Sequence, residues 1–257
     1  MSIHPTAVVS RGAHLAQDVQ VGPYACIGEG VTIGKGTVVG SHVVIEGHTT
    51  IGENNRIHPF VTLGTPPQDM SYRGEDTRLV IGNENVIREY VSVHRATTKE
   101  SWETTVGDHN YLMAYAHVAH DCHVGNHVVM ANVASLAGHT TVGDHAILGG
   151  FVGVHQFVRI GPHAFLGAKS GIDKDVPPYM ITSGHRAKLY GVNRVGLARS
   201  GFEKDRIDGL KKAFRIIWRD NRRFREGIRQ VREELPPFPE LEVLLSFFEG
   251  SKRGIMR

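Results

Sequence analysis

Two cysteines in 257 residues, Cys26 and Cys122, exclude a disulfide framework and leave no paired zinc motif. No run of eighteen apolar residues occurs, so no segment is expected to span a membrane. The opening MSIHPTAVVS has no basic stretch followed by an apolar one, so a secretory leader is not expected and a reducing cytoplasm is the default location. Net charge is nearly absent at +3, but it is unevenly spread. Residues 199–257 hold fifteen Lys/Arg against ten Asp/Glu, and the first 198 hold fourteen against sixteen. The basic tail lacks an aromatic–basic platform, which argues against nucleic acid as its partner. The chain is long enough for a sizeable core in one or two domains.

What the sequence has is a period of six. Every sixth residue from Ile3 to Leu63 is aliphatic. The phase resumes at Ile81, Ile87 and Val93, then restarts, shifted by one, at Val106 and runs to Ile172. A sandwich would alternate by two, whereas a fixed short repeat means a solenoid whose units bury their apolar faces on one another. The pattern resembles the hexapeptide repeat of left-handed parallel β-helices, in which three hexads make one triangular coil. The resemblance supplies the left hand, because crossovers ordinarily favour the right. Glycine often follows the aliphatic position, as in Gly22, Gly40, Gly125 and Gly161, and is expected to let the corner turn tightly.

Two polar segments interrupt the ruler, about 65–78 and 95–105, and read as loops thrown out from the solenoid. After KDVPPYM a helical pattern follows, with Ile207, Leu210, Phe214, Ile217 and Trp218 on one face and further helices around 222–235 and 240–249. The fold class is therefore an all-β solenoid with an α tail: a β-helix over 1–189 and a helical domain over 190–257.

In an eighteen-residue coil, positions eighteen apart stack about 4.8 Å from one another. His120, Gly138 and Gln156 then share one column, Asp121 and His139 the next, and His155 lies beside Gln156. His117 sits near the same corner. His109, His127, His145 and His163 form a separate ladder, read as a solvated row of corner residues, with a metal-binding stripe as the sharper alternative.

The repeats together with PPQDMSY, VHRATT, AHVAHDC, LAGHTTVGD, VHQF, KDVPPY and a GF before a helix resemble the bacterial UDP-N-acetylglucosamine O-acyltransferases, over essentially the whole chain. The resemblance implies transfer of a 3-hydroxyacyl group from acyl carrier protein to the sugar 3-hydroxyl, the first step of lipid A synthesis. No cofactor is implied beyond the donor's own phosphopantetheine, and no metal. His120 would be the general base, Asp121 the carboxylate orienting it, and the Gly138 N–H the oxyanion donor. His117, His139, His155 and Gln156 would position sugar and acyl groups. Asp69, His94, Asn193 and Arg199 would contact the sugar nucleotide, and Ala168 would set the depth of the acyl groove. A homotrimer is implied, and the basic stretch 199–232 suits an acidic carrier protein.

The sequence departs from the family at Ser71, where a lysine is usual, and at Ser200, where a second arginine is common. Arg73 is expected to stand in for the lost lysine. The rival readings are a zinc hydratase of the γ carbonic anhydrase type, the related N-acyltransferase, a 3-amino-sugar variant and a non-enzymatic solenoid. The hydratase needs convergent histidines, and His117 and His123 occupy equivalent points of successive hexads, facing different sides of the triangle. The N-acyltransferase typically carries an added N-terminal domain, whereas hexads here begin at residue 3.

Overall fold

The hexads fold as two-residue strands in which the ruler residue points inward. The computed structural model describes residues 2–220 and 223–257, and its β part is a triangular left-handed parallel β-helix. Consecutive coils pair eighteen residues apart, as Val8 with Cys26 and Cys26 with Val44. Among the described residues the faces of the prism are sheets of eleven, nine and eight strands. They are called here the first, second and third face in that order. Ile27, Ile45, Leu63, Val93, Val118, Leu136, Val154 and Ile172 form one internal column, each at most 4% exposed. Burying each such side chain contributes about 1.5–3 kcal/mol, and stacking repeats the gain in every coil.

The pairing register explains the behaviour of the ruler. Across the first excursion, partners are 30 apart (His48 with Arg78) instead of eighteen, an insertion of twelve. Twelve is two hexads, so the phase survives. Across the second, partners are 25 apart (Arg78 with Glu103), an insertion of seven, and the phase moves by one. The inserted segments leave the helix after Thr65 and His94 and rejoin it at Arg78 and Glu103.

The corner glycines do a different job from the one expected. The left-handed backbone falls three residues past the aliphatic position, at Tyr24, His42, Asn54, Asp121 and His139 among others, with φ between 56° and 63°. The glycine directly after the strand is required by close approach instead. A Cβ on Gly22 would lie 2.9 Å from the backbone of Gly40 in the next coil. Rings at the left-handed positions stack into ladders. Tyr24, His42, Phe60, Tyr90 and Tyr115 stand 4.7–5.1 Å apart along one edge. His109, His127, His145 and His163 stand 4.6–4.7 Å apart along another, with near-parallel planes. The row is solvated as expected at His109, His127 and His145, which are exposed, and its rings also stack on one another. Its end is covered by Phe202, edge-on to His163, and burial first, then His145, lowers His163 to a pKa of about 4.

Met180–Ser183 and Lys188–Val192 close the β-helix as an antiparallel hairpin. Residues 190–192, expected with the helical domain, therefore complete a strand, and helix begins at Arg194. Among the described residues four helices follow: α1 (Arg194–Arg199), α2 (Lys204–Trp218), α3 (Phe224–Glu234) and α4 (Pro239–Glu249). Asn193 caps α1 by accepting from the Gly196 N–H. Ile207, Leu210, Ile216 and Ile217 are the buried face of α2, with Phe214 and Trp218 packed at its margin. Residues 221 and 222 lie outside the described residues, so the start expected at 222 and Arg222 of the basic stretch are not placed. No helix among the described residues is long and apolar enough to cross a membrane.

Candidate active site

His120 sits on the edge between the second and third faces, two residues past the ruler position Val118. Among the described residues the His120 N–H donates to no backbone group, and the same position holds Pro5, Pro23, Pro59 and Pro162, which have no N–H to give, in other coils. Asp121 follows in the left-handed conformation, with φ of 58°, and its side chain is fully buried. The His120 Nδ1 lies 2.7 Å from Asp121 Oδ2. The same oxygen accepts from the Thr97 hydroxyl at 2.7 Å, and the Thr97 N–H lies 3.1 Å from both carboxylate oxygens. Burial alone would raise the Asp121 pKa. The hydrogen bonds from His120 and Thr97 outweigh it and hold the carboxyl below its ordinary value. An ionised carboxylate accepts only, so His120 carries its proton on Nδ1 and leaves Nε2 free to take one.

Gly138 lies one coil along, at the equivalent position, and is buried. A Cβ there would stand 2.6 Å from His120 Cε1 and 2.8 Å from Nε2. Among the described residues no acceptor takes its N–H. A free backbone donor therefore flanks the reactive nitrogen. His139 packs edge-on to His120, with centroids 5.3 Å apart, and lies flat against Phe157. Its Nε2 is 3.8 Å from Asp121 Oδ2, and its Nδ1 is 3.3 Å from Glu100 Oε2, off the line of a hydrogen bond.

His117 and His94 extend the cluster across the second face. Their rings meet edge-on at 4.9 Å, and His117 Nδ1 pairs with the Ser92 hydroxyl at 2.8 Å. Burial first, then the neighbouring histidines, lowers both, His94 to a pKa of about 4. Both are therefore neutral near neutral pH and do not repel a charge formed on His120.

A groove of about 660 Å³ runs from this cluster along the second face. Its floor is the outward column His117, Ser135, Gly153 and Gly171, which spans about 14 Å at three coil steps. The side chains shrink to nothing along it. A Cβ at Gly153 would meet no atom within 4 Å, so the bare glycine keeps the channel open and is not a demand of the backbone. His155 lines the side, Gln68 the upper end, and Asp173, His185 and Arg186 the lower end. Gln156 is exposed next to His155.

Other expected residues fall elsewhere. Asp69, on the first inserted loop, accepts from the Ser71 hydroxyl and N–H at 2.6 and 2.8 Å, and from Lys99 Nζ at 2.5 Å. The Lys99 bond, then those from Ser71, hold its carboxyl far below the usual range. Arg73 is tied to its own loop. Its guanidinium donates to the Met70 and Tyr72 carbonyls, and the cation beside Asp69 is Lys99. Asn193 donates to the His163 carbonyl, on the edge between the third and first faces. Arg199 and Ser200 lie beyond it at the end of α1, with Arg199 in a cleft of about 1110 Å³ that also holds Arg194, Lys204 and Lys211. Ala168 is exposed on the third edge, after Phe165–Leu166, and forms no wall of the groove within one chain. Thr97, Lys99 and Glu100 had no period to reveal them.

Of groupings that could hold a metal, His120, Asp121 and His139 offer ligand atoms within 4.8 Å of one another, but Thr97 and His120 already engage the Asp121 oxygens. His117 and His123 lie on different faces and do not converge.

A solenoid of stacked hexads with a histidine–carboxylate pair on one edge defines a hexapeptide-repeat transferase, and the bacterial transferase hexapeptide model matches residues 30–65 and 103–137. Residues 175–256 match the second domain of UDP N-acetylglucosamine O-acyltransferase. The chain is 52% identical to the acyl-[acyl-carrier-protein]–UDP-N-acetylglucosamine O-acyltransferase of Thermodesulfovibrio yellowstonii, over 99% of both chains. It is 54% identical to that of Trichlorobacter lovleyi over the full length of both. The crystal structure of UDP-N-acetylglucosamine O-acyltransferase from Moraxella catarrhalis superposes with a TM-score of 0.96 at 40% identity, covering both chains completely. The chain belongs to the UDP-N-acetylglucosamine O-acyltransferase family and is an acyltransferase.

Proposed function

We propose that this acyltransferase moves a 3-hydroxyacyl chain from the thioester of acyl carrier protein to the 3-hydroxyl of UDP-N-acetylglucosamine, the step that opens lipid A synthesis, with His120 as general base. The observation that carries the reading is the convergence, among the described residues, of a free imidazole nitrogen, a buried carboxylate behind it and a backbone N–H with no acceptor. A thioester is already activated, so no acyl-enzyme is needed. His120 Nε2 takes the hydroxyl proton as the sugar oxygen attacks the thioester carbon. The Gly138 N–H donates to the oxyanion, Asp121 stabilises the imidazolium, and the proton passes to the departing thiolate as the C–S bond breaks. The donor's phosphopantetheine is the one prosthetic group this scheme requires. Thiol release is expected only when donor and sugar nucleotide are both present. Equal release without the sugar would mean hydrolysis and sink the transfer reading.

The substrate contacts implied for this family divide among three edges: His120 on one, Asn193 and Arg199 on the second, Ala168 on the third. One substrate can reach them all only if separate copies supply separate edges. We infer a cytoplasmic homotrimer with its sites between subunits, the head-to-tail ring that three edges close. The cationic cleft of α1 and α2 then serves as the approach for an acidic carrier protein. Light scattering is expected to return three times the 28.3 kDa chain mass. An active monomer would end the shared-site reading.

A further inference from the structure

The equivalent edge residues of other coils, such as His127 and Phe157, are exposed, whereas Asp121 is entirely buried. The difference is the seven-residue insertion. It leaves the helix after His94 and lays Thr97 across the Asp121 carboxylate. Within four residues it makes three ties: Thr97 to Asp121, Lys99 to Asp69 on the first loop, and Glu100 beside His139. Thr104, where the chain rejoins the helix, accepts from the Asp121 backbone N–H at 2.8 Å.

We propose that Thr97 is a positioning residue for the acid–base pair, acting through Asp121 on His120, and that the 95–102 loop, which carries the insertion, is the clamp that delivers it. The proposal rests on the reading of His120 as base. Three donors reach the carboxylate's Oδ2, namely His120 Nδ1, the Thr97 hydroxyl and the Thr97 N–H, and of the two from Thr97 the hydroxyl is the shorter, at 2.7 Å, and bonds that oxygen alone. Without it only the longer Thr97 N–H contacts, shared between both oxygens, hold the carboxylate from that side, so it gains freedom to rotate about its Cβ–Cγ bond and the His120 ring is less firmly directed. A base that points elsewhere for part of the time lowers the rate of proton transfer, while binding of either substrate needs no change.

Thr97→Val removes the hydroxyl and keeps the shape and the backbone N–H. It is expected to lower kcat about tenfold with both KM values within twofold, and Thr97→Ser is expected to restore wild-type turnover within twofold. In an Asp121→Asn background the same Thr97→Val change should cost less than twofold, because the group it acts through is already altered. Thr97→Ala should repeat the pattern and serves if the valine variant fails to fold. An equal cost in both backgrounds, a loss carried by KM, or failure of serine to rescue would overturn the clamp. The base assignment is judged separately: a fully active His120→Ala enzyme removes the foundation, whereas an inactive one with the wrong Thr97 pattern removes the clamp alone.

Discussion

His120→Ala is expected to lower turnover by at least about 10²-fold, the scale of lost general-base catalysis, while the protein stays folded. Both halves follow from position. The imidazole stands on the edge of the prism, outside the stacked aliphatic columns, and its deletion leaves the core of Val118, Leu136 and Val154 untouched. What it removes is the acceptor for the hydroxyl proton, and no other group takes over. His117 is engaged with Ser92, and His139 lies between Asp121 and Glu100. Steady-state kinetics with a melting curve reads both. Near-normal turnover with chemistry rate-limiting would remove His120 from the base role.

Gly138→Ala should be nearly as damaging, for a steric reason. The backbone at Gly138 is not left-handed, so alanine is tolerated there conformationally. The added methyl would sit 2.6 Å from His120 Cε1 and 2.8 Å from Nε2, closer than any real contact. The ring must swing away from the nitrogen's working direction and from the N–H it shares the site with. Misplacing a catalytic group by about 1 Å costs on the order of 10²-fold. The expected result is a stable protein with kcat reduced by about that factor. A kcat within threefold of wild type would mean that the imidazole and the Gly138 backbone do not approach as described.

The β-helix is legible in the sequence because its energetics are periodic. Each coil buries one aliphatic residue per face, so the spacing of Ile27, Ile45 and Leu63 by itself announces a column. The same periodicity brings His120 and Gly138 together by counting eighteen. What has no period stays hidden. Thr97, Lys99 and Glu100 come from an insertion shaped by side-chain contacts, and nothing in HRATTKESW shows which partner each will meet. Arg73 is close to Ser71 in sequence, yet the cation that meets Asp69 in space is Lys99. Glycine spacing suggests that glycine makes the turn, which residues such as Tyr24 and His42 make instead. The open groove is likewise unreadable, because the bareness of Gly153 and Gly171 has meaning only once they are known to face outward on one sheet. Resemblance draws Ala168 and Asn193 into one site, and a single chain places them on separate edges.

The most direct measurement is the identity of the product formed from a 3-hydroxyacyl carrier protein and UDP-N-acetylglucosamine. Mass spectrometry should find the sugar nucleotide increased by one 3-hydroxyacyl group, and fragmentation should place it on the 3-oxygen as an ester that mild base cleaves. Free 3-hydroxy acid with unchanged sugar nucleotide, or acylation confined to a 3-amino analogue as a base-stable amide, would contradict the account.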